Sequence, residues 1–333
     1  MPDNAVVTKP TMQAIVNRRY GSPDDLRLQE IDTPALGDDG VLVRVRAASL
    51  NPYDWHFMRG LPYIARPMLG LRKPKKSVPG ADVAGQVEAV GKNVTQLRPG
   101  DEVFGVGRGG SLAEYVCGAE NDFAPKPASL SFEQAAALPM AGCTALQALR
   151  DRGNLQPGQS VLINGAAGGV GTFAVQIAKA LGAEVTGVCS TPNVDLLRSI
   201  GADQVVDYTR EDFARSGRRY DLVLDLVANR SLSDLRRALT PEGTLVLSGG
   251  GGSRLLGPVG LIFRAKVRSR FVSQRLFSFL AQLGRDDLVV LTELIEAGKV
   301  APVIDRTYPL SEAPEAIRYL ETGHARGKIV IAV

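Results

Sequence analysis

The sequence predicts an α/β protein: a doubly wound parallel sheet that follows a stretch of mostly β character. Three observations lead there. From Ser131 onward short strand-like runs alternate with helix-like segments, which is how a parallel sheet with covering helices reads. Within that alternation, Gln156 to Gly187 reads as strand, glycine turn, helix and strand. Finally, 333 residues exceed one ordinary domain, so two is the natural expectation.

Taken in order, Met12 to Val16 alternates weakly. Gly40 to Ala48 alternates well, with Val41, Val43 and Val45 on one face and Arg44 and Arg46 on the other, as a strand with one wet face does. In SLNPYDWHFMRG, Pro52 breaks the strand and polar and aromatic groups crowd into an expected turn. Pro62 to Val78 is irregular and basic. Ala84 to Val90 is a strand, and Arg98-Pro-Gly-Asp turns the chain before a strand at Glu102 to Val106. The character changes at Pro125-Lys-Pro-Ala-Ser. Elements are then expected at 131–149, 160–164, 170–181, 184–188, 193–200, 204–207, 221–226, 231–239 and 243–248. A helix near 287–298, a strand, a helix near 311–321 and a strand from Lys328 to Val333 complete the pattern.

The central stretch carries the strongest chemical signal. Val161, Leu162 and Ile163 form a brief apolar run closed by Asn164-Gly165. Beyond the turn, Val170, Phe173, Ala174, Ile177, Ala178 and Leu181 recur at helical steps until Gly182. Gly165, Gly168 and Gly171 fit a G-x-x-G-x-x-G spacing. Such glycines let backbone N–H groups approach a pyrophosphate at the positive end of a helix. The flanking strand–helix–strand context makes the motif a dinucleotide site rather than a plain tight turn.

Composition narrows the function classes. Hydrophobic residues are 44% and charged residues 22% of the chain, a soluble α/β balance. No run approaches about eighteen uninterrupted apolar residues, and the N-terminus shows neither an apolar signal core nor an Arg/Ser-rich amphipathic pattern. Cys117, Cys143 and Cys189 are too few and scattered for a disulfide framework, so a cytoplasmic location is expected. A net charge of +4 is too mild to indicate nucleic-acid binding.

NPYDW at 51–55, PGADVAGQVEAVG at 79–91, RPGDEVFG at 98–105, AALPMAGCTALQAL at 136–149, NGAAGGVG at 164–171 and HARGKIVI at 324–331 together resemble the medium-chain dehydrogenase/reductase superfamily, in that family's order and over nearly the whole chain. The sequence looks most like its zinc-free quinone oxidoreductase branch, and in particular the chloroplast-envelope quinone oxidoreductase homologues. The resemblance implies a GroES-like, mostly-β substrate domain from 1–127 plus 283–333, and a Rossmann domain over 128–282. It implies cofactor contacts from Thr144, Ala167, Gly168, Gly169, Val170, Gly171, Ser190, Thr191, Tyr208, Ser248 and Lys328. It also implies catalytic donors in the loop that faces the cofactor, Asn51 and Tyr53.

A catalytic zinc in this superfamily takes Cys, His and Cys; the matching positions hold Asn51, Ala81 and Met140. The expectation is therefore no metal, and without a Lewis acid simple alcohol oxidation loses its usual electrophile. Conjugated carbonyls suit what remains, because hydride adds at the β-carbon and the enolate oxygen needs only hydrogen-bond donors. Plainer roles stand beside these: an Asx-turn for Asn51, loop packing for Tyr53 and His56, and structural hydrogen bonding for Asp54 and Asp82. The expected activity is NADPH-dependent reduction of quinones or enones. The alternatives are a dinucleotide-binding sensor with incidental turnover and a saturated-ketone reductase.

NADPH is expected because the stretch about twenty residues past the glycines reaches Cys189-Ser190-Thr191 with no acid. Tyr208 matches a family position near the 2′-phosphate. Asn193 stands where relatives often carry Lys, and Arg198 or Arg210 could compensate. Arg270 to Leu280, taken to follow a sixth strand at Gly243 to Ser248, is expected to pair across a two-fold axis in a homodimer, burying Phe271 and Phe277. Two basic loops, Arg66 to Lys76 and Arg254 to Arg275, mix cations with apolar residues. Weak binding to an anionic membrane surface is a further expectation, beside the plainer one that these loops flank the cleft.

Overall fold

The computed structural model describes residues 10–248 and 273–333. Its first sheet is built by β3 (Gly40–Leu50), β4 (Asp82–Val90), β5 (Glu102–Val106), β6 (Tyr115–Ala119) and β7 (Phe123–Pro125), joined by β14 (Ile304–Pro309) and β15 (Lys328–Ala332). The order is β14-β15-β3-β4-β5-β7, with β6 also on β3. A separate hairpin pairs β1 (Thr11–Val16) with β2 (Arg27–Asp32). The alternation in β3 works as the sequence suggests: Val41, Val43 and Val45 are buried against Val83, Val103, Val116 and Phe123, while Arg44 and Arg46 face out. β15 lies antiparallel to the far end of β3, with Val330 opposite Ser49.

The second sheet is wholly parallel: β8 (Ser160–Asn164), β9 (Glu184–Cys189), β10 (Gln204–Asp207), β11 (Tyr220–Asp225), β12 (Leu239–Leu247) and β13 (Arg275–Ser278), in the order β10-β9-β8-β11-β12-β13. The order reverses at β8, so a crevice opens beyond the C-terminal ends of β8 and β11. Val161, Ile163, Val185, Leu222 and Leu224 form a core with helix α5 (Gly169–Ala180), whose Phe173, Ala174 and Ile177 are fully buried. Helices α6 (Val194–Ser199) and α7 (Leu232–Arg237) cover other strands. Helix α8 (Arg285–Glu296) packs on α4 (Pro139–Gln147), and helix α9 (Ala313–Glu321) packs over the first sheet.

Several expectations are corrected. Residues 52–59 form a helix, α1 (Pro52–Arg59), rather than a turn. Pro52 sits at a helix N-terminus, where its missing N–H is no loss, and the Asp54 carboxylate accepts the Asn51 N–H at 2.7 Å. A short helix, α2 (Arg66–Leu69), interrupts the irregular stretch after it. The segment 131–149 is two helices, α3 (Phe132–Ala136) and α4, because Pro139 can only start a new one. Strands β2, β6 and β7 were not foreseen; β7 is three residues long, too short for a period to show. The strand expected at 243–248 is the fifth of its sheet, and the sixth is β13 itself. Phe271 and the basic stretch 254–270 lie outside the described residues.

Candidate active site

The dinucleotide turn follows β8. Gly165 takes φ +86°, a left-handed value that favours glycine, and Gly168 caps α5. A Cβ on Gly171 would stand 2.2 Å from the Gly165 carbonyl oxygen, so the third glycine permits the close packing of helix start on turn. The N–H groups of Gly169, Val170 and Gly171, in the first turn of α5, have no carbonyl one turn back to bind. They make an anion cradle at the helix's positive end. This backbone fits a dinucleotide pyrophosphate.

The other sequence-selected cofactor residues collect on the same rim. Ser190 and Thr191 follow β9, Tyr208 follows β10 and Ser248 follows β12. Register brings the strand ends level, with Asp207 opposite Cys189 and Asp225 opposite both Asn164 and Leu247. Tyr208 is half exposed. Ala167 is buried and its carbonyl accepts the Gly327 N–H at 2.9 Å. Thr144 is buried in α4 and its hydroxyl donates back to the Met140 carbonyl at 2.6 Å.

Two acids on this rim escaped sequence reasoning. Asp207 accepts the hydroxyls of Thr191 at 2.5 Å and Thr209 at 2.7 Å. These bonds, the Thr191 one foremost, hold its carboxyl below the usual range. An acid thus lies beside the end of β9 although the sequence at 189–191 has none. Asp225 is fully buried at the switch point and accepts the Asn164 amide at 2.8 Å. Both are residues of a neighbouring strand brought alongside by parallel pairing, which counting along one strand cannot reveal.

Facing the turn is a buried polar cluster. Asn51, at the end of β3, is 3% exposed. Its Nδ2 donates to Asp82 Oδ2 at 2.8 Å and its Oδ1 accepts Lys328 Nζ at 2.6 Å. Asp82 also accepts the Ser49 hydroxyl at 3.1 Å and the Met140 N–H at 3.0 Å. Lys328 donates further to the Leu50 carbonyl at 3.0 Å and approaches Asp82 at 3.4 Å. Burial pulls the Lys328 ammonium below its ordinary range, opposed by Asp82 and Asp54. Asp54 is fully buried. Burial first of all pushes its carboxyl up to about 7 against the bond from the Asn51 N–H, and Asp82 adds to the rise. Among the described residues its Oδ1 has no hydrogen-bond partner.

Tyr53 projects from α1, 43% exposed, with its ring stacked on Phe57 at 6.1 Å. Burial of the phenol, then the Asp54 charge, pushes its ionisation above the usual tyrosine range. It therefore stays a protonated donor at neutral pH. The His56 ring stacks on Trp55 at 3.6 Å.

The two halves meet at one seam. Gly327 bridges Gly168 in parallel fashion, and Lys328 follows it. A Cβ on Gly169 would stand 3.0 Å from Lys328 Cδ, so the lysine stem crosses the dinucleotide turn while its head ends on Asn51. The donor set does not fit a zinc ion. Asn51 Oδ1 is taken by an ammonium, Ala81 offers no donor, and Asp82 is engaged by Asn51, Ser49, Met140 and Lys328. Among the described residues no cluster of three His, Cys, Asp or Glu could hold a metal.

Comparison with known proteins gives concordant likenesses. Residues 37–128 match the alcohol dehydrogenase GroES-like domain, and residues 200–331 match a family described as zinc-binding dehydrogenase. The chain is 34% identical to the chloroplastic quinone-oxidoreductase QR1 of Triphysaria versicolor, over 96% of this chain and 98% of that protein. It is 36% identical to the chloroplastic NADPH-dependent alkenal/one oxidoreductase of Arabidopsis thaliana, over 96% and 79%. A solved quinone oxidoreductase from Coxiella burnetii superposes with a TM-score of 0.86 at 34% identity, covering 97% of this chain and 100% of that one.

Proposed function

The chain belongs to the medium-chain dehydrogenase/reductase family of oxidoreductases, and on that premise we propose that it is a zinc-independent, NADPH-dependent reductase of quinones or α,β-unsaturated carbonyls. One observation carries this reading. At the Gly168–Gly327 seam a dinucleotide cradle meets a wall whose polar groups are the Asn51 amide, the Tyr53 phenol and the Lys328 ammonium rather than a metal ligand set.

A reduced nicotinamide, when bound, would supply two electrons as hydride. The protein's own groups would do the rest. Gly168 to Gly171 would hold the pyrophosphate, while Ser190, Thr191 and Tyr208 would border the adenosine end, and Thr144, Ala167, Ser248 and Lys328 would border the cofactor elsewhere. The Asn51 amide binds the carbonyl oxygen on which charge collects. The Tyr53 phenol, kept protonated, or a water beside it, provides the proton. NADPH is the proposed cofactor because no acid stands at the end of β9, in Cys189-Ser190-Thr191. The Asp207 charge, engaged by Thr191 and Thr209, stands against it, and Arg210 beside Asp207 at 3.8 Å offsets that charge. The test is oxidation of NADPH and NADH with a benzoquinone, an open-chain enone and a saturated ketone, with and without chelator. Turnover of the first two acceptors, unaffected by chelator and faster with NADPH, is expected. Turnover of the ketone alone, or loss on chelation, overturns the reading.

We further propose a homodimer through the outer edge of β13, which among the described residues pairs only with β12; sedimentation at the mass of one chain, 35.5 kDa, refutes it. Exposed Ile64, Met68 and Leu71 beside Arg72, Lys73, Lys75 and Lys76 support weak, salt-sensitive binding to anionic vesicles, which co-sedimentation against neutral vesicles tests. No helix among the described residues is long and apolar enough to cross a membrane. A cytoplasmic location is a proposal that fractionation checks.

A further inference from the structure

Lys328 has a role to explain beyond bordering the cofactor. Its Nζ, on a side chain 2% exposed, meets three acceptors: the Leu50 carbonyl, Asn51 Oδ1 and Asp82 Oδ2. Three acceptors suit an ammonium, which has three protons to donate. That fixes the Asn51 amide with oxygen toward Lys328 and nitrogen toward Asp82. An amide NH2 carries two hydrogens. One goes to Asp82 at 2.8 Å, which leaves a second N–H on Asn51.

A buried ion pair of this kind is a poor stability device, since apolar residues of equal volume often hold a fold as well. Placement is the better guide. The lysine stem lies on the dinucleotide turn at Gly169 and its charge sits on the oxygen of the Asn51 amide, the group proposed above to bind the substrate carbonyl. In a low-dielectric site hydrogen bonds in series polarise one another. A cation on the amide oxygen makes the remaining N–H a stronger donor.

We propose that Lys328 is a positioning residue that acts through Asn51, a tethered cation whose charge is relayed across the amide to the carbonyl oxygen of the substrate; this rests on the reductase reading above. In the enone reaction, hydride from NADPH forms the new C–H bond at the β-carbon. The C=C electron pair shifts to make an enolate, and its oxygen is held by the Asn51 N–H. A proton from Tyr53 or water then reaches the α-carbon. NADPH is oxidised to NADP+, and the enone is reduced to a saturated carbonyl.

Substrates differ in how much they need this relay. A quinone gains an aromatic ring on reduction and needs little help at oxygen, whereas an open-chain enone depends on it. In Lys328→Met, kcat on the enone is expected to fall about 10–100-fold. The quinone rate should fall at least about 5-fold less than the enone rate, with the NADPH Kd read by fluorescence so that both rates are compared at saturating cofactor. A merely structural or cofactor-holding lysine would lower both rates equally, and that result overturns the proposal. If Lys328→Met does not fold, the double change Lys328→Met with Asp82→Asn removes both buried charges. The same selective loss is expected there, and wild-type enone activity overturns the proposal. In an Asn51→Ala background, adding Lys328→Met should cost less than about 2-fold more on the enone, because the lysine acts only through that amide; a full independent loss counts against it. A wild-type protein that oxidises NADPH with neither acceptor removes the reductase reading and this proposal together. An active wild type with unselective variants removes this proposal alone.

Discussion

The dinucleotide turn and the Asn51–Asp82–Lys328 cluster lie on either side of one seam and are made in opposite ways. The turn is backbone. Its working groups are N–H donors at a helix start, and its sequence requirement is the absence of side chains at Gly165 and Gly171. The cluster is side chain, drawn from three segments, with Lys328 and Asn51 277 residues apart. A site of the first kind is local and tolerates changes around it. One of the second kind concentrates charge where water cannot screen it, so each member depends on the others.

The largest expected effect tests that dependence. Asp82→Ala strands the Lys328 ammonium in the core, and breaking a buried pair costs about 3–5 kcal/mol. An unfolding free energy, measured with urea, that falls by less than a third of that would mean the cluster is wetter than its burial indicates. Next comes pH. The Asp54 carboxyl is held at about 7 in the fold against 3.8 for an ordinary aspartate, so folding favours its protonated form. That contribution is complete below about pH 4 and is lost as pH rises through 7, by a few kcal/mol. Asp54→Asn, which cannot ionise, should flatten the decline in stability between pH 4 and 7; an unchanged slope would assign the decline to other groups.

On the other side of the seam, Gly171→Ala drives a methyl into the Gly165 carbonyl. It should cost about 1–3 kcal/mol and weaken dinucleotide binding much more than it weakens the fold. Binding kept within about 2-fold would show the turn to be more pliant than a backbone cradle should be. The smallest effect is expected at Tyr53→Phe. Water can replace the phenol as proton source, so kcat should drop at most about 10-fold, or about 1.4 kcal/mol. A loss of a thousandfold would make Tyr53 the sole donor.

The same contrast decides what could be read from the sequence. The turn was legible because glycine spacing and the flanking strand and helix are contiguous in Val161 to Leu181. The doubly wound alternation was legible for the same reason. The helix at 52–59 is hidden in the sequence because Pro52 reads as a stop, when at a first helical position it is a start. Asn51 and Lys328 could each be named, but their bond could not, since no periodicity relates residues so far apart. Asp207 shows a further limit: it reaches the end of β9 only through the register with Cys189.

That register of distant segments also sets a timetable. β3 meets β15 only after the chain between Leu50 and Lys328, 278 residues, has been synthesised. At about 5–20 residues per second, that is roughly 15–55 s. Throughout that interval one edge of β3 from Ala47 to Leu50 is without the strand it will pair with, while the whole parallel sheet of the other unit is being made. The nascent protein can thus form its dinucleotide cradle well before the lysine that completes the opposite wall arrives.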